Sequence, residues 1–516
     1  MRTKYLIAPA FLLIITLYSC EKDFVKTNTN PVLPTTIEPV YQLVNTQIVG
    51  INIVQYYGTI VQQAQILLGG AEEAGNRNSN VDRFASDAFN SLYGNQVQNL
   101  VDIINRVKDD PAKTNIYNMA RIMKAYSFQI LVDTYGDVPY SEAGLSYLKG
   151  IFLPKYDDQK VIYEDIAKEL KEAVDALDAN KDKVSGEMYF GGDIAKWKRF
   201  GNSLLLRVGM RYTKTDENKA KSLVQIATDP ARGGVMSSND DNVVLKANSI
   251  QVNPSTGFLN GSVRHNWFIG KPFIDFLKNN NDPRLQYTAV LYPDPAASNP
   301  GAGNTNPASQ IGVPYGYTDV NIVNAPDYPG KVGSTFKYSQ FNRSTVGRLD
   351  SWLYYVTYAQ TQLLLAEARH RNYITTGTVK DYYEAGIRAH MTQRDTWATT
   401  NGGPSPIAKA EQDAYLQQPD IVFNSATALK QINEQYWVAS MFIWAEAFAN
   451  FRRSGYPQLS PLKFPGEDPS VTAGDGFIHR LPYPLKEWSI NRPNVQAAAD
   501  RIGGDNMGTR VFWDKK

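Results

Sequence analysis

Apolar residues repeating at intervals of three and four positions are the feature that most constrains the fold of this chain. They dominate from Pro39 to about Tyr212, and one stripe consists of Val97, Leu100, Val101, Ile104 and Val107. This spacing places the apolar side chains on one face of an α-helix. Similar stripes predict helices at roughly 116–130, 161–177, 197–212, 354–371, 379–396 and 426–453. Because such helices must bury their apolar faces against one another, the fold is expected to be mainly α.

A long irregular segment separates the two helical blocks. Residues 235–345 are rich in Asn, Pro, Gly, Ser and Tyr and contain few helical periods. A loop region of this length within a compact protein is usually functional or disordered. Helix pairs from two separated parts of the chain predict a tetratricopeptide-like scaffold with a long irregular substrate-binding insert, although no strict 34-residue repeat is present. Beyond Tyr456 the sequence predicts turns and short extended pieces.

The N-terminus has the organisation of a lipoprotein signal. Arg2 and Lys4 precede an apolar run from Tyr5 to Leu17, and the segment closes with Leu-Tyr-Ser-Cys at 17–20. This run is too short to cross a bilayer, which needs roughly 20 apolar residues, and its flanks suit a cleaved signal peptide. The ending resembles a bacterial lipobox, so residues 1–19 are predicted to be a signal peptide and Cys20 to be lipidated. The alternative is an ordinary secretory signal that happens to end in Cys.

Cys20 is the only cysteine of the 516 residues, so the chain cannot form an intrachain disulfide. Lipidation explains why an exported protein carries this lone thiol, and several acyl chains give stable membrane anchoring. Residues 20–38 are then the lipidated N-terminus and a polar tether, and 39–516 a single binding domain. The acidic stretch Glu21-Lys22-Asp23-Phe24 looks like a signal for export to the outer cell surface in the Bacteroidetes; inner-leaflet retention is the alternative.

Charge and motifs exclude several classes of function. Removing residues 1–19 takes away Arg2 and Lys4 and no acidic residue, so the formal net charge falls from +2 to 0, which does not favour a nucleic-acid partner. The four histidines have no metal-ligating spacing, and G-x-S-x-G and Walker motifs are absent from the sequence. Asp240-Asp241-Asn242 is interpreted as an acidic turn. We therefore expect no metal, no cofactor and no catalytic centre, with a glycosidase carboxylate pair as a distant alternative.

Two sets of residues are candidates for ligand binding. The first is Asn76, Arg77 and Asn78 in the loop 69–80, where amide and guanidinium groups could bind sugar hydroxyls or a peptide backbone; a solvated loop is the alternative. The second is a set of aromatic residues from the insert that could stack on sugar rings: Trp267, Tyr315, Tyr317, Tyr328 and Tyr338. Trp197, Trp437 and Trp444 are predicted to be core residues, and Arg452 and Arg453 to cap a helix end.

Several segments, taken in order, resemble the SusD/RagB family of outer-membrane nutrient-binding lipoproteins. They are Leu131-Val132-Asp133-Thr134-Tyr135-Gly136-Asp137-Val138-Pro139-Tyr140, Trp197 to Leu204, Leu365-Ala366-Glu367-Ala368, Tyr383 to Ile387, Phe451-Arg452-Arg453-Ser454-Gly455-Tyr456-Pro457 and Arg480-Leu481-Pro482-Tyr483-Pro484. The last three fit a SusD-like subgroup most closely. Together with the lipobox, these segments are spread over nearly the whole mature chain.

The resemblance implies four tetratricopeptide-like helix pairs, an irregular ligand-binding elaboration and an outer-membrane location facing the cell exterior. It also implies a partner, a TonB-dependent outer-membrane barrel transporter (SusC-like) over which the lipoprotein sits as a lid. The expected ligand is an oligosaccharide, with a peptide as the near alternative. A surface-anchored glycoside hydrolase and a purely structural surface protein are more distant hypotheses.

Overall fold

The structure is a computed structural model that describes residues 37–49, 54–69, 75–299, 301–461, 469–472 and 474–516. The predicted signal peptide, Cys20 and nearly all of the predicted tether lie outside these residues. Within the described ranges, no helix combines the length and the apolar character that spanning a bilayer requires.

The first helical block contains most of the helices that the apolar periodicity predicts. Its helices are α1 (Pro39–Val49), α2 (Val54–Ile60), α3 (Asp82–Ser91), α4 (Gln98–Val107), α5 (Thr114–Tyr135), α6 (Ser146–Lys149), α7 (Gln159–Ala176), α8 (Ile194–Arg211) and α9 (Glu217–Thr228). Neighbouring long helices pack in pairs, α5 against both α4 and α7, and α8 against both α7 and α9. The stripe of α7 that faces its neighbours consists of Ile162, Ile166, Leu170 and Val174, all buried.

Short strands pair within the first helical block, within the insert, and between the insert and its neighbours. They are β1 (Ala64–Ile66), β2 (Val138–Pro139), β3 (Tyr156–Asp157), β4 (Val243–Leu245), β5 (Trp267–Ile269), β6 (Ala289–Val290), β7 (Lys331–Val332), β8 (Thr335–Phe336), β9 (Gln340–Phe341) and β10 (Leu353–Val356). The antiparallel pairs are β1–β5, β2–β3, β4–β10, β6–β9 and β7–β8. In the β1–β5 pair, Ile66 lies opposite Trp267. This pair therefore fixes the insert beside the end of α2.

The insert contains the short helices α10 (Gly257–Asn260), α11 (Lys271–Asn279) and α12 (Leu285–Thr288). The second helical block follows it, with α13 (Tyr358–His370), α14 (Val379–Met391), α15 (Lys409–Tyr415), α16 (Ala428–Ala439), α17 (Trp444–Ser454), α18 (Pro469–Thr472), α19 (Leu485–Ile490) and α20 (Arg492–Ile502). In this block α13 packs against α14 and α16, and α16 packs against α17. The predicted class is thus confirmed: a mainly α scaffold of helix pairs with an irregular insert.

Three local predictions are wrong. The stretch 426–453 is two helices rather than one, because the chain turns at 440–443, where Phe442 has a φ of 62° and its ring packs on Phe341. Residues 353–356 form strand β10 instead of the start of a helix, and α13 begins at Tyr358 after a Thr357 capping box. The C-terminal region predicted to be turns contains α20, whose buried stripe is mostly alanine and therefore gives a weak apolar signal.

Arg452 and Arg453 lie in the last turn of α17, at the helix end where the sequence predicts them, and both guanidinium groups are buried and reach other elements. Arg453 makes a bidentate ion pair with Glu367, with Nη1–Oε1 at 2.8 Å and Nη2–Oε2 at 2.7 Å. Arg452 donates to the backbone oxygens of His479, at 2.6 Å, and Asp133, at 2.7 Å. These groups join α17 to α13, to the end of α5 and to the C-terminal segment.

Candidate functional site

Strand β5 divides the aromatic residues of the insert between two environments. Successive side chains of a strand point to opposite faces. Trp267 and Ile269 accordingly belong to the main core, whereas Phe268 packs into a second, smaller group of apolar residues. We call this group the insert cluster; its buried members are Leu67, Phe268, Val313, Ile322, Ala325, Phe336 and Tyr338. Trp267 is therefore separated from the tyrosines that pack around the insert cluster.

Trp267 lines a cleft of about 330 Å³ where the insert meets the first helical block. We call it the aromatic cleft. Helix α2 contributes Tyr56 and Thr59 and helix α3 contributes Arg83, Phe84 and Asp87, while the insert contributes Phe258, Val263 and Trp267; Ile66 of β1 completes the lining. The β1–β5 pair brings the insert against α2 and α3 and so helps to place these residues around one cleft.

Two pairs of rings form the walls of the aromatic cleft. Phe84 stacks on Tyr56 with ring centroids 5.9 Å apart and an interplanar angle of 15°. Phe258 meets Trp267 edge to face, with centroids 4.5 Å apart. Tyr56 and Trp267 are buried, whereas Phe84 and Phe258 are half-buried. The two phenylalanine rings therefore present the accessible apolar surface, and the larger rings support them from behind.

Polar groups lie at the rim and at the base of the aromatic cleft. The Arg83 guanidinium lies over the Phe84 ring, 4.4 Å from its centroid, and Asp87 follows one helical turn later. Partial burial raises the pKa of the Asp87 carboxyl, and Arg83 opposes that rise. The Trp267 side chain is 4% exposed, and its Nε1 donor has no hydrogen-bond partner among the described residues. Buried donors are normally paired, so this N–H is an unsatisfied donor at the enclosed base of the cleft.

The loop that carries Asn76, Arg77 and Asn78 lies directly beside the aromatic cleft. The Asn76 and Asn78 side chains are buried, and each donates to a backbone oxygen: Asn76 Nδ2 to Ile66 at 2.5 Å and Asn78 Nδ2 to Gly476 at 3.0 Å. Arg77 is half-buried. The two amides thus hold the loop against its neighbours, and contact of these three residues with a ligand stays a prediction.

Gly75 begins the described part of this loop and packs closely on α2. A Cβ at this position would lie 1.7 Å from Thr59 Oγ1, so the approach of the loop requires glycine. The Tyr56 hydroxyl donates to the Ser79 oxygen at 2.7 Å and ties the other end of the loop to the same helix. The loop therefore forms a wall next to the residues that line the cleft.

The predicted tyrosines do not share the cleft with Trp267. The Tyr315 hydroxyl donates to the backbone oxygens of Thr59 and Ala64, the latter at 3.1 Å, and so ties the insert to α2 and β1. Tyr338 is buried in the insert cluster, and burial raises its pKa to about 12. Tyr317 and Tyr328 are half-buried against that cluster. The structure thus brings three of the five aromatic residues together, away from Trp267, and a ligand-binding role for each stays a prediction.

Sequence reasoning missed Tyr56, Phe84 and Phe258 as cleft residues. Tyr56 and Phe84 lie within helical segments, where an aromatic residue is most often core. The available signal was their position on both sides of the candidate loop 69–80, combined with the i, i+4 spacing of Arg83 and Asp87 on the same helix. In the described ranges, no group of three or more His, Asp or Glu side chains is arranged to hold a metal ion.

A helix-pair scaffold that carries an insert and an open cleft with aromatic walls has the architecture of a binding protein. A family model described as SusD-like, "Starch-binding associating with outer membrane", matches residues 26–484. The chain therefore belongs to the SusD-like family, as its sequence motifs predicted. A search of curated proteins finds no match.

Solved structures agree with this assignment. A chitin-binding protein is 31% identical with a TM-score of 0.78, and the match covers 93% of this chain and 100% of that one. A SusD-like protein of Bacteroidetes AC2a is 28% identical with a TM-score of 0.79 and the same coverage. A chitin-binding SusD homologue from Flavobacterium johnsoniae is 22% identical, with a TM-score of 0.72 over 92% of this chain and 97% of that one. At that identity, the last match shows the fold alone.

Proposed function

We propose that this protein captures glycan oligomers at the outer cell surface, binds them in the aromatic cleft and delivers them to a TonB-dependent outer-membrane barrel. The observation that carries the proposal is the combination of accessible Phe84 and Phe258 rings with a Trp267 N–H that has no partner among the described residues. The C–H faces of sugars pack on aromatic rings, and a few polar groups then set their orientation. Arg83 and Asp87 are suitably placed at the rim for that second role.

The relatives narrow the first ligands to test. The family description names starch, and the 31% identical structure is a chitin-binding protein. Chitin units carry an acetamido carbonyl, which is an acceptor that a buried indole N–H can satisfy. Chitin oligomers are therefore the first candidate and malto-oligosaccharides the second.

Binding without turnover is the expected behaviour. Glycoside hydrolysis generally requires two carboxyl groups on either side of the bond to be cleaved. Asp87 is the one carboxylate among the described residues that line the aromatic cleft. This lining supports capture rather than hydrolysis, so the oligomer is expected to leave the protein unchanged.

The remaining parts of the proposal concern location. Lipidation of Cys20 would hold the protein on the outer membrane, and the polar segment 20–38 would allow the binding domain to move over a transporter. Uptake energy would come from the transporter system. Co-purification of a barrel protein with the tagged lipoprotein from outer membranes tests this part, and its consistent absence after mild solubilisation would contradict delivery.

Calorimetric titration of the detergent-solubilised mature protein tests the binding site. We expect saturable binding of chitin oligomers, weakened about tenfold by Phe84→Ala because one stacking face is removed. Trp267→Phe should weaken binding severalfold through loss of the N–H while keeping an aromatic ring in the core. Phe152→Ala is the matched control, because Phe152 is 74% exposed and lies outside the cleft.

The other outcomes separate the alternatives. Saturable binding of peptides without binding of any oligosaccharide would transfer the function to peptide capture. Shortened oligosaccharides, detected by chromatography after incubation, would indicate a hydrolase. Glycan binding that is equally strong in the wild type and in Phe84→Ala would reject the aromatic cleft as the site.

A further inference from the structure

A second cleft, of about 440 Å³, lies at the junction of α8, β4 and β10. We call it the basic cleft. Its lining includes Lys196 near the start of α8, Lys246 after β4, Trp352 before β10 and Arg394 after α14. It shares no lining residue with the aromatic cleft. Any ligand contact made here is therefore separate from the site proposed above.

The pairing of β4 with β10 brings a lysine to a tryptophan at the edge of the basic cleft. Leu245 lies opposite Leu353, so the next residues along the two antiparallel chains, Lys246 and Trp352, are neighbours. The Lys246 ammonium lies 5.2 Å from the centroid of the Trp352 ring, and the Arg394 guanidinium lies 6.0 Å from it. Cations are attracted to the negative face of an indole ring. Trp352 thus gathers two cations around one indole ring.

These cations lack a carboxylate partner among the residues that the structure describes. Within the described part of the chain, Lys196, Lys246 and Arg394 form no ion pair, although other cations of the molecule, such as Arg453 and Arg284, do. Lys196 Nζ donates to the backbone oxygen of Asp240 at 2.9 Å, and Arg394 Nη2 donates to that of Gly402 at 3.3 Å. Backbone oxygens are dipoles without net charge, so these contacts do not pair either cation with a carboxylate.

The two acidic residues that line the basic cleft, Glu187 and Asp240, form no described ion pair with these cations, and the lining keeps a formal excess of one positive charge. The Glu187 carboxylate is buried and already accepts hydrogen bonds from the backbone N–H groups of Tyr189, Phe190 and Gly192. Gln47 Nε2 and Trp197 Nε1 also donate to it. The other acidic lining residue, Asp240, is exposed, and Lys196 bonds its backbone oxygen rather than its carboxylate. Asp395, next to Arg394, is buried and paired with Arg348.

We propose that the basic cleft binds an anionic group carried on a sugar ring, either the carboxylate of a uronic acid or a sulfate ester. This inference rests on the proposed glycan-binding function for its ligand class. Arg394 can bind a carboxylate or sulfate through two parallel N–H donors, and Lys246 supplies a compact point charge. An anion bound beside either cation offsets the positive charge that gathers at this ring. Trp352 acts as a positioning residue, and Asn239 and Asn242 add polar groups to the same lining.

The test uses the detergent-solubilised mature protein and three trisaccharides. One consists of galacturonic acid, the second of neutral galactose and the third of sulfated galactose. Binding is measured by calorimetry at low and high salt. We expect at least one acidic trisaccharide to bind and the neutral one not to bind at this cleft. Lys246→Gln and Arg394→Gln should each weaken binding of the acidic trisaccharides about tenfold. High salt should weaken this binding in the wild type as well, because the contacts are exposed. The preferred acidic sugar distinguishes carboxylate from sulfate recognition.

Three variants distinguish binding in the basic cleft from a general effect of net charge and from binding in the aromatic cleft. Lys409→Gln changes the net charge equally but removes an exposed lysine paired with Asp413, so it should leave binding unchanged. Trp267→Phe should leave binding of the acidic trisaccharides unchanged, because Trp267 lines the aromatic cleft. Trp352→Phe should retain more binding than Trp352→Ala, because a phenyl ring still attracts the two cations.

Several results would overturn the inference: no binding of either acidic trisaccharide, binding that resists Arg394→Gln, or binding that is lost in Trp267→Phe. Equal or tighter binding of triglutamate would reassign the basic cleft to acidic peptides. If acidic trisaccharides bind here while chitin and malto-oligosaccharides do not bind at all, the neutral-glycan role of the aromatic cleft fails and the basic cleft stands.

Discussion

The buried ion pair between Glu367 and Arg453 offers a sharp test of how the second helical block is held together. Each side chain is 1% exposed, and the two form a bidentate pair between α13 and α17. Arg371 Nε donates to the same carboxylate at 2.9 Å, and Asn433 Nδ2 donates at 3.2 Å. Glu367→Gln keeps the shape of the side chain and removes its charge. The Arg453 guanidinium would then be buried beside Arg371 without a counterion.

The expected loss of stability follows from that uncompensated charge. Removing one partner of a buried ion pair typically costs about 3–5 kcal/mol. Burial opposes ionisation of Glu367, but the attraction of Arg453 and Arg371 prevails and holds its pKa well below the usual range. A lowered folded-state pKa means that the stabilisation is complete above the ordinary pKa of Glu and is lost as the pH falls towards the lowered value. The full difference between wild type and variant should therefore persist from pH 8 to about 5.

Urea unfolding followed by tryptophan fluorescence at pH 7 and pH 3.5 measures this difference. The matched control is Glu384→Gln, which removes the partner of Lys380 from an exposed i, i+4 pair and should cost less than about 1 kcal/mol. The gap between Glu367→Gln and wild type should narrow in acid. A cost at pH 7 no larger than that of the control, or a gap that widens in acid, would refute the reasoning.

Three further predictions concern other parts of the molecule. Burial raises the pKa of Glu434 to about 7. The stability linked to its protonation is therefore full below about pH 4.5 and is lost as the pH rises through 7. In urea unfolding, Glu434→Gln should stabilise the protein by about 1–3 kcal/mol at pH 8 and by little at pH 4. Gly75→Ala should displace the loop beside the aromatic cleft, because its Cβ would meet Thr59, and calorimetry should show glycan binding at least tenfold weaker. The control is Gly94→Ala, where the added Cβ meets open space. Thr357→Ala removes the capping box of α13 and should cost about 1 kcal/mol in the same unfolding assay, while Thr357→Ser should retain most of that stability.

The helical scaffold was predictable because its signal is local. The buried positions of α7, spaced four residues apart, are decided by helical geometry and by apolar character, and both are visible in the sequence. The family resemblance added the expectation of tetratricopeptide-like helix pairs. The turn at 440–443 had no such signal, because the sequence there lacks glycine and proline and Phe442 is held in a left-handed conformation by packing on Phe341 and Trp444.

The cleft residues were less predictable because they meet only through long-range pairing. Tyr56 and Phe84 belong to the first helical block, and Phe258 and Trp267 belong to the insert. Nothing in either segment alone specifies that β1 pairs with β5, since each strand has three residues and β5 lies in a region rich in glycine and asparagine. Residue type could therefore suggest aromatic contacts with a ligand, but the partners across the cleft depend on the tertiary fold.

The division of the insert aromatics also follows from the alternation of side chains along β5. Residue type placed Trp267 in one group with four tyrosines, whereas the strand turns Trp267 towards the aromatic cleft and Phe268 towards the insert cluster. Tyr338 packs on Phe268 with ring centroids 6.2 Å apart, so it supports the face of β5 opposite to the cleft. A shift of one residue in the register of β5 would exchange the two faces and remove the indole from the cleft. The register of the β1–β5 pair, more than the number of aromatic residues in the insert, therefore determines which ring lines the cleft.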